Sequence, residues 1–414
     1  MVVFALTTSN RPILFTGQIN TNLFSGYVSA WNNWSLAEFQ LIIFNVIMFM
    51  PLGLILPFIH SKLKTFWRVL VVSFAFTAGI EIFQLVTGKG IFELDDLFHN
   101  TLGSIAGYFI VMVLILSIEK KKIQWLAIGK AFAIPLLFVG IVGIGYIAYQ
   151  AQEYGNLAYK PAQKQSMENV DVQLESKLSD ETYDACIYYN NQINNLESAK
   201  DFSEMIAKQF QLTQQGGMRI EGENRRFQFS NQEGENFSLV YFMHNGGWSL
   251  YKDNSEESPQ VDIESQKQLL EDWFIEKSLM PANAIFHHQY DSTIRWGIPV
   301  TDQPASHCED FSQGFLIVTL SNNEIPNNIM YDIQHNKFVG EEKIISEQQA
   351  FEKLQNGEFN LFNPLVKGDT LTITDVQLTY TYDTKGYYRP AYNFTGYVND
   401  PEDNREITIS AMEK

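Results

Sequence analysis

Asp95-Asp96-Leu97-Phe98-His99-Asn100-Thr101-Leu102-Gly103-Ser104-Ile105-Ala106-Gly107 opens a run that stays apolar as far as Ile118. Residues 96, 100, 103/104 and 107 recur every three to four positions, so they share one face of a helix. That face is polar at its start and small further on. The Gly103-x-x-x-Gly107 pair lets a second helix come close, the usual packing role of small residues in membranes. About 20 helical residues cross a hydrocarbon core of about 30 Å. The run is long enough.

Three further stretches meet the same length criterion, so the expected spans are 38–59, 66–86, 97–118 and 123–149. The short loops His60-Ser-Lys-Leu-Lys64 and Glu119-Lys-Lys-Lys122 are basic and belong on the cytoplasmic side. Alternation then places residues 11–37, 88–96 and everything after Tyr149 outside. Met1–Leu6 is apolar but too short to span and lacks a basic lead-in. It reads as part of a first helix whose beginning lies outside this chain, or as a short interfacial segment.

The charge follows the same division. Nine Lys+Arg face six Asp+Glu up to Tyr149, a net of +3, which leaves −21 for the remainder of a chain whose total is −18. An acidic protein of this kind lacks the basic surface that phosphate contacts require, so nucleic acid is excluded as a partner. With 45% hydrophobic and 14% aromatic residues, a disordered chain is excluded too.

Polar side chains inside the spans carry the functional information, because an unpaired polar group in hydrocarbon is costly. Glu81 and Gln84 share a face near the outer end of the second span. Asn45 lies about a turn before Phe49-Met-Pro51-Leu-Gly53, whose Pro51 and Gly53 are expected to kink the first span and free a carbonyl. A lone Glu there would read as interfacial. Glu81, Gln84, Asp95, Asp96 and Asn100 at one leaflet read as one convergent cluster, with Lys89 the nearby permanent positive charge. Adjacent carboxylates repel, so some are protonated or a divalent cation lies among Glu81, Asp95 and Asp96.

The ordered set Asn45-x3-Phe49-x-Pro51-x-Gly53, Glu81-x2-Gln84 and Asp95-Asp96-x3-Asn100-x2-Gly103-x3-Gly107-Tyr108 resembles the VanZ-like membrane proteins of bacteria over residues 10–120. Two positions depart from that pattern. Lys89 stands where Arg is expected and Glu93 where an Asp often opens the acidic loop, which weakens the case for a bidentate clamp on phosphate or carboxylate. The resemblance implies a cell-envelope role, the founding member being linked to reduced susceptibility to glycopeptides of the teicoplanin type. It implies no established reaction.

Beyond Tyr149 the pattern changes. Residues 150–179 are polar, contain Pro161 and read as a tether. Helix patterns over 198–212, 263–278 and 346–354 are each followed by alternating strand patterns: 225–229, 237–242 and 248–251, then 284–296 and 313–319, then 371–382, 391–398 and 406–410. Gly246-Gly247 marks a turn. The recurrence predicts an α+β domain of repeated helix-plus-antiparallel-strand modules. Its last copy, ending Thr379-Tyr-Thr-Tyr-Asp-Thr-Lys-Gly-Tyr-Tyr-Arg389-Pro390, is similar to PepSY-like accessory domains outside Gram-positive membranes, which implies binding or inhibition of an envelope protein partner.

Catalytic signals are thin. Adjacent His287 and His288 point to opposite faces of a strand and cannot easily share one ion with Asp291. His307-Cys308-Glu309-Asp310 and the distant Cys186 leave a thiol nucleophile or a disulfide open. No Gly-rich phosphate loop, nucleophile elbow or zinc spacing is found.

The expected architecture is therefore a polytopic helical membrane domain (residues 1–122, four full spans plus the partial one, with an additional helix at 123–149), a tether (150–179) and an extracellular α+β domain (180–414). Few cysteines, frequent Asn and Ile and the large ectodomain fit a Gram-positive plasma membrane. The expected ligand is a cell-wall precursor or a lipid headgroup. The competing expectations are a membrane enzyme using the carboxylates as acid and base on a lipid-linked substrate, and an anchored regulator whose ectodomain binds a partner.

Overall fold

Ser35-x-x-Glu38 opens the first long helix: the Ser35 side chain accepts from the Glu38 N–H at 3.3 Å, and Asn33 Nδ2 donates to Glu38 Oε1 at 2.7 Å. The computed structural model describes residues 19–123, 125–253, 263–290, 293–298, 308–320, 326–361 and 363–413. Met1–Leu6 therefore lies outside the described residues. The chain divides into two compact units, Met1–Glu153 and Tyr154–Lys414.

The first unit contains helices α1 (Ser25–Asn33), α2 (Leu36–Ile59), α3 (Phe66–Thr87), α4 (Leu94–Lys120) and α5 (Trp125–Ala151). Four of them, α2 to α5, are long and apolar enough to cross a membrane. Helix α4 begins three residues earlier than its hydropathy predicts. The reason is that Asp95 and Asp96 occupy its first turn, where negative charge complements the helix dipole. Gly88, at φ 65°, ends α3 with its N–H turned back to the carbonyls of Gln84 and Leu85. At the opposite end, Lys64 pairs with Glu119 at 2.8 Å and Tyr108 donates to the Lys64 carbonyl.

Small residues set the distance between α2 and α4. A Cβ on Gly53 would come within 1.7 Å of the Ser104 carbonyl oxygen, on Gly103 within 2.0 Å of that of Val46, and on Gly107 within 2.0 Å of that of Met50. The backbones therefore touch, as the Gly103/Gly107 pattern predicts. Gly53 is a packing residue; α2 runs unbroken through Pro51 from Leu36 to Ile59. Between α3 and α4 polar groups form the contact, with Ser73 and Ser104 hydroxyls 2.6 Å apart.

Residues 19–34, part of the segment that alternation places outside, are folded. Strand β1 (Ile19–Asn20) pairs in parallel with β2 (Phe92–Glu93), and α1 follows it. The α1 end is fixed by aromatics: Trp34 stacks on Tyr149 of α5 with centroids 3.7 Å apart, and Trp31 meets the same ring edge-on. Such a group suits a membrane–water interface.

The second unit is built on one 14-stranded sheet, with its main path in the order β3 (Asp171–Leu174), β14 (Thr370–Tyr382), β15 (Tyr387–Val398), β4 (Asp184–Tyr189), β13 (Asn328–Lys343), β9 (Trp248–Lys252), β8 (Asn236–Phe242), β7 (Asn224–Ser230) and β5 (Thr213–Gln214). Strands β6 (Arg219–Glu221), β10 (Ile285–Tyr290), β11 (Thr293–Ile298), β12 (Phe311–Thr319) and β16 (Asn404–Ser410) join at its sides. Helices α6 (Leu196–Gln209), α7 (Ile263–Glu276) and α8 (Glu347–Gln355) each precede strands in the chain. The strands nevertheless merge into a single sheet.

Two large hydrophobic cores lie along it, with a smaller cluster of Cys186, Tyr188 and Tyr380 besides. One gathers Ile206, Phe227, Phe237, Trp248, Phe274, Trp296 and Leu316; the other gathers Ala350, Leu354, Leu371, Ile373, Tyr392, Phe394 and Ile407. The 16-residue β13 joins them. Its first half pairs with β12 and β9 and its last residues pair with β4. The disulfide Cys186–Cys308 ties β4 to the lead-in of β12, so the thiol-nucleophile alternative is closed.

From Tyr154 onward, the stretch expected as a tether is part of this unit. Strand β3 pairs in parallel with β14, and Gly155 donates its N–H to Asp383 Oδ2 at 2.7 Å. Arg389, paired with Asp383 at 3.6 Å, donates to the Gly155 carbonyl and lies over the Tyr154 ring. Pro161 and the polar composition thus mark a strap laid on the sheet, not a free linker.

Candidate binding site at the α3–α4 turn

Helix α3 brings Ser73, Thr77, Glu81 and Gln84 onto one face by spacings of four, four and three. All four are buried, Glu81 to 1% exposure, although each is polar. Opposite them α4 presents Asp96, Asn100 and Ser104. Asn100 Nδ2 donates to Thr77 Oγ1 at 3.0 Å. The third wall is α2, whose Asn45 Nδ2 donates to Asp96 Oδ1 at 2.6 Å. Three helices are therefore joined by side-chain amides, hydroxyls and carboxylates at the end where α3 gives way to α4.

The carboxylates expected to crowd one another have separate donors. Asp95 turns to the start of α1, where it accepts from the N–H groups of Phe24 and Gly26, the latter at 2.8 Å, and from the Ser25 hydroxyl at 3.3 Å. It acts as the missing cap of that helix. Glu81 accepts the Glu93 N–H at 3.2 Å. Asp96 takes the Asn45 amide and stays half-buried. Charge that would repel is matched group by group by N–H dipoles.

Lys89 is half-buried in the turn, and its N–H closes α3 on the Gln84 carbonyl at 3.1 Å. His99, on α4, is 2.7 Å from the Tyr27 hydroxyl, which burial and the Asp95 charge push up to about 12. Tyr27 therefore stays protonated across the neutral range. The carbonyl oxygen of the Asn100 side chain is buried and has no partner among the described residues. An acceptor in that state carries a cost until a donor reaches it.

The structure thus pairs Asn45 with Asp96 and Asn100 with Thr77 across three helices, sets buried Glu81 and Gln84 on the same α3 face as Thr77, with Glu81 accepting the Glu93 N–H, and gives Asp95 to the α1 cap. Pro51 lies within α2, and Gly53, Gly103 and Gly107 set how close α2 and α4 approach. Ser73 and Thr77 escaped sequence reading, although their spacing with Glu81 was the available signal. The α1 residues Ser25 and Tyr27 had no such signal, because nine residues with mixed polarity do not stand out from a loop.

Among the described residues no group of three or more His, Cys, Asp or Glu side chains could hold a metal ion. His287 faces Arg295 across the β10–β11 pair, which disfavours a cation there. The His288 side chain, Asp291 and His307 lie outside the described residues.

Residues 1–116 match the family model VanZ/LLP1, so the first unit is VanZ-like over the helices that build this site. No curated protein matches the chain. The Bacillus megaterium YpeB C-terminal domain is similar at 11% identity, covering 53% of this chain and 93% of that one, with a TM-score of 0.24. An uncharacterized protein from Eubacterium rectale ATCC 33656 is similar at 9% identity over 59% of this chain and 89% of that one, also at 0.24. At that score neither likeness bears on fold or function.

Proposed function

We propose that this is a VanZ-like cell-envelope protein of a Gram-positive plasma membrane, with the second unit outside the cell, whose amide and carboxylate cluster engages the polar part of a cell-wall lipid precursor or a lipid headgroup. The observation that carries the reading is the convergence of Asn45, Asp96, Thr77, Asn100 and Glu81 from three apolar helices at one end of the unit. Asp96 is the half-buried member and the one that offers charge; the Asn100 carbonyl oxygen is an acceptor awaiting an N–H or O–H. A donor-rich ligand, such as the amides of a stem peptide, an amine or a sugar, matches those groups.

A divalent cation among Glu81, Asp95 and Asp96 is the weaker form of this reading, because Asp95 already accepts backbone N–H groups with both oxygens. The Cys186–Cys308 bond favours an oxidising location for the second unit, where an acidic surface of this size would keep it soluble and free to meet an envelope protein. Reduced susceptibility to teicoplanin-type antibiotics follows if the ligand is a wall precursor. Glu81→Gln and Asp96→Asn are expected to abolish such protection while the protein is still made. Unchanged susceptibility in strains carrying either variant would remove the site assignment.

A further inference from the structure

Ile294 and Trp296 of β11 point into the core, at 0% and 1% exposure, so Arg295 between them stands on the opposite face of the sheet. Its neighbours there follow from the register. His287 of β10 lies directly across from it, and Gly297, two residues on, lies across from Phe315 of β12. The Arg295 guanidinium leans along the strand to sit 4.6 Å from the centre of the Phe315 ring. The His287 ring leans the same way, since a Cβ on Gly297 would meet its Cδ2 at 3.6 Å and its Nε2 at 3.7 Å. Gly297 has no side chain and is buried beneath them. Guanidinium and imidazole therefore converge over one position of this face.

Arg295 differs from the other arginines of the second unit. Arg226, Arg389 and Arg405 pair with Glu221, Asp383 and Asp403. Arg225 donates to the Gly222 and Asn224 carbonyls, and Arg219 is exposed. Arg295 is half-buried and has neither a hydrogen bond nor an ion pair among the described residues, although acids heavily outnumber bases beyond Tyr149. Asp332, opposite Phe315 on β13, is turned to Asn245 and Gln334 instead. The Arg295 Nε is buried, whereas its terminal Nη1 and Nη2 are neither buried nor bonded. Stacking on Phe315 holds that planar fork in place, so little freedom remains to be lost when it meets a ligand.

We propose that this spot binds the free α-carboxylate at the end of a peptide, with the Arg295 fork donating to its two oxygens and His287 standing beside them as a further donor. One guanidinium balances one negative charge, and its planar pair of N–H groups matches the planar pair of carboxylate oxygens. The rest of such a peptide is neutral or basic, because further acids would be repelled by the negative surface around the spot. The site belongs to the second unit, so it stands or falls independently of the α3–α4 cluster.

The test is isothermal titration calorimetry of the full chain in detergent, with acetyl-trialanine carrying a free C-terminal carboxylate, its C-terminal amide and glycerol phosphate as probes. One molecule of the acid is expected per chain, bound about ten-fold more tightly than the amide, the worth of a hydrogen bond between charged groups. Arg295→Gln should erase that preference, and Arg295→Lys, which keeps the charge without the fork, should lose most of it. Equal affinity of the wild type for acid and amide, a comparison that needs no variant to fold, would overturn the proposal. So would the absence of saturable binding of the acid, tighter binding of glycerol phosphate, or a preference for the acid that survives Arg295→Gln.

Discussion

Asn45 Nδ2 donates to Asp96 Oδ1 at 2.6 Å, a bond between residues 51 apart in sequence that joins α2 to α4 at the point where their backbones begin to touch. The bond shows why neighbouring acids behave differently. Asp96 turns towards α2 and the amide network, whereas Asp95, one residue earlier and about 100° round the helix, turns to the amides of α1.

That division predicts opposite mutational behaviour. Asp95→Ala leaves two N–H groups of α1 without an acceptor and should cost about 1–2 kcal/mol, the usual loss on removing a helix cap. Asp96→Asn keeps an oxygen for Asn45 and should leave the melting temperature unchanged. Thermal unfolding of the full chain in detergent checks both, and a destabilised Asp96→Asn would show that Asp96 is a structural group.

The helix contact makes a second prediction. Gly53→Ala places a Cβ 1.7 Å from the Ser104 carbonyl oxygen, and backbone cannot swing aside as a long side chain can. A loss of at least about 1–3 kcal/mol is expected, the range for overpacked cores. Gly79→Ala, on α3, meets nothing within 4 Å and should be neutral or slightly stabilising. Equal melting temperatures for the two variants would contradict the packing.

Removing the Cys186–Cys308 bond should lower stability, because it closes a loop with a sequence separation of 122 residues. The chain-entropy argument gives up to about 4–5 kcal/mol for such a loop. Replacement of both cysteines by serine should therefore lower the melting temperature of the full chain, and reductant should destabilise the wild type but not the variant. A reductant-insensitive wild type would mean that the bond does not form.

Asp332 provides a pH test. It is half-buried between Asn245 Nδ2 at 2.8 Å and Gln334 Nε2 at 2.6 Å, and burial raises its carboxyl above the ordinary 3.8 although the charge of His244 works the other way. With the folded value above the unfolded one, its contribution to stability is complete below the unfolded value and is lost as pH rises through the folded value. Asp332→Asn, which keeps the acceptor without the charge, should melt above the wild type at neutral pH, and the gain should vanish below the ordinary value of 3.8. A variant that melts lower at neutral pH would contradict this.

Much of the first unit was legible because bilayer crossing demands long apolar runs, and because polar residues within them are too costly to be incidental. Asn45, Glu81, Asp96 and Asn100 stood out for that reason. The capping role of Asp95 was not legible, since its partners, Phe24 and Gly26, sit about 70 residues away in a segment with no periodic signal. In the second unit, alternating strands such as Phe237–Phe242 announced themselves, but β13 did not. Its middle, Gln334-His-Asn-Lys337, is polar where it passes between the two cores, which breaks the alternation that marks a strand. The strap at 154–174 was hidden likewise, because Tyr154 and Gly155 are held by Asp383 and Arg389 from the far end of the chain.

The most direct measurement is binding of a lipid-linked cell-wall precursor to the full chain in nanodiscs, comparing wild type with Asp96→Asn at matched melting temperature. The account predicts binding by the wild type and a loss of about ten-fold or more in the variant, the worth of a charge-assisted hydrogen bond. Equal affinity of the two proteins for the precursor would contradict it.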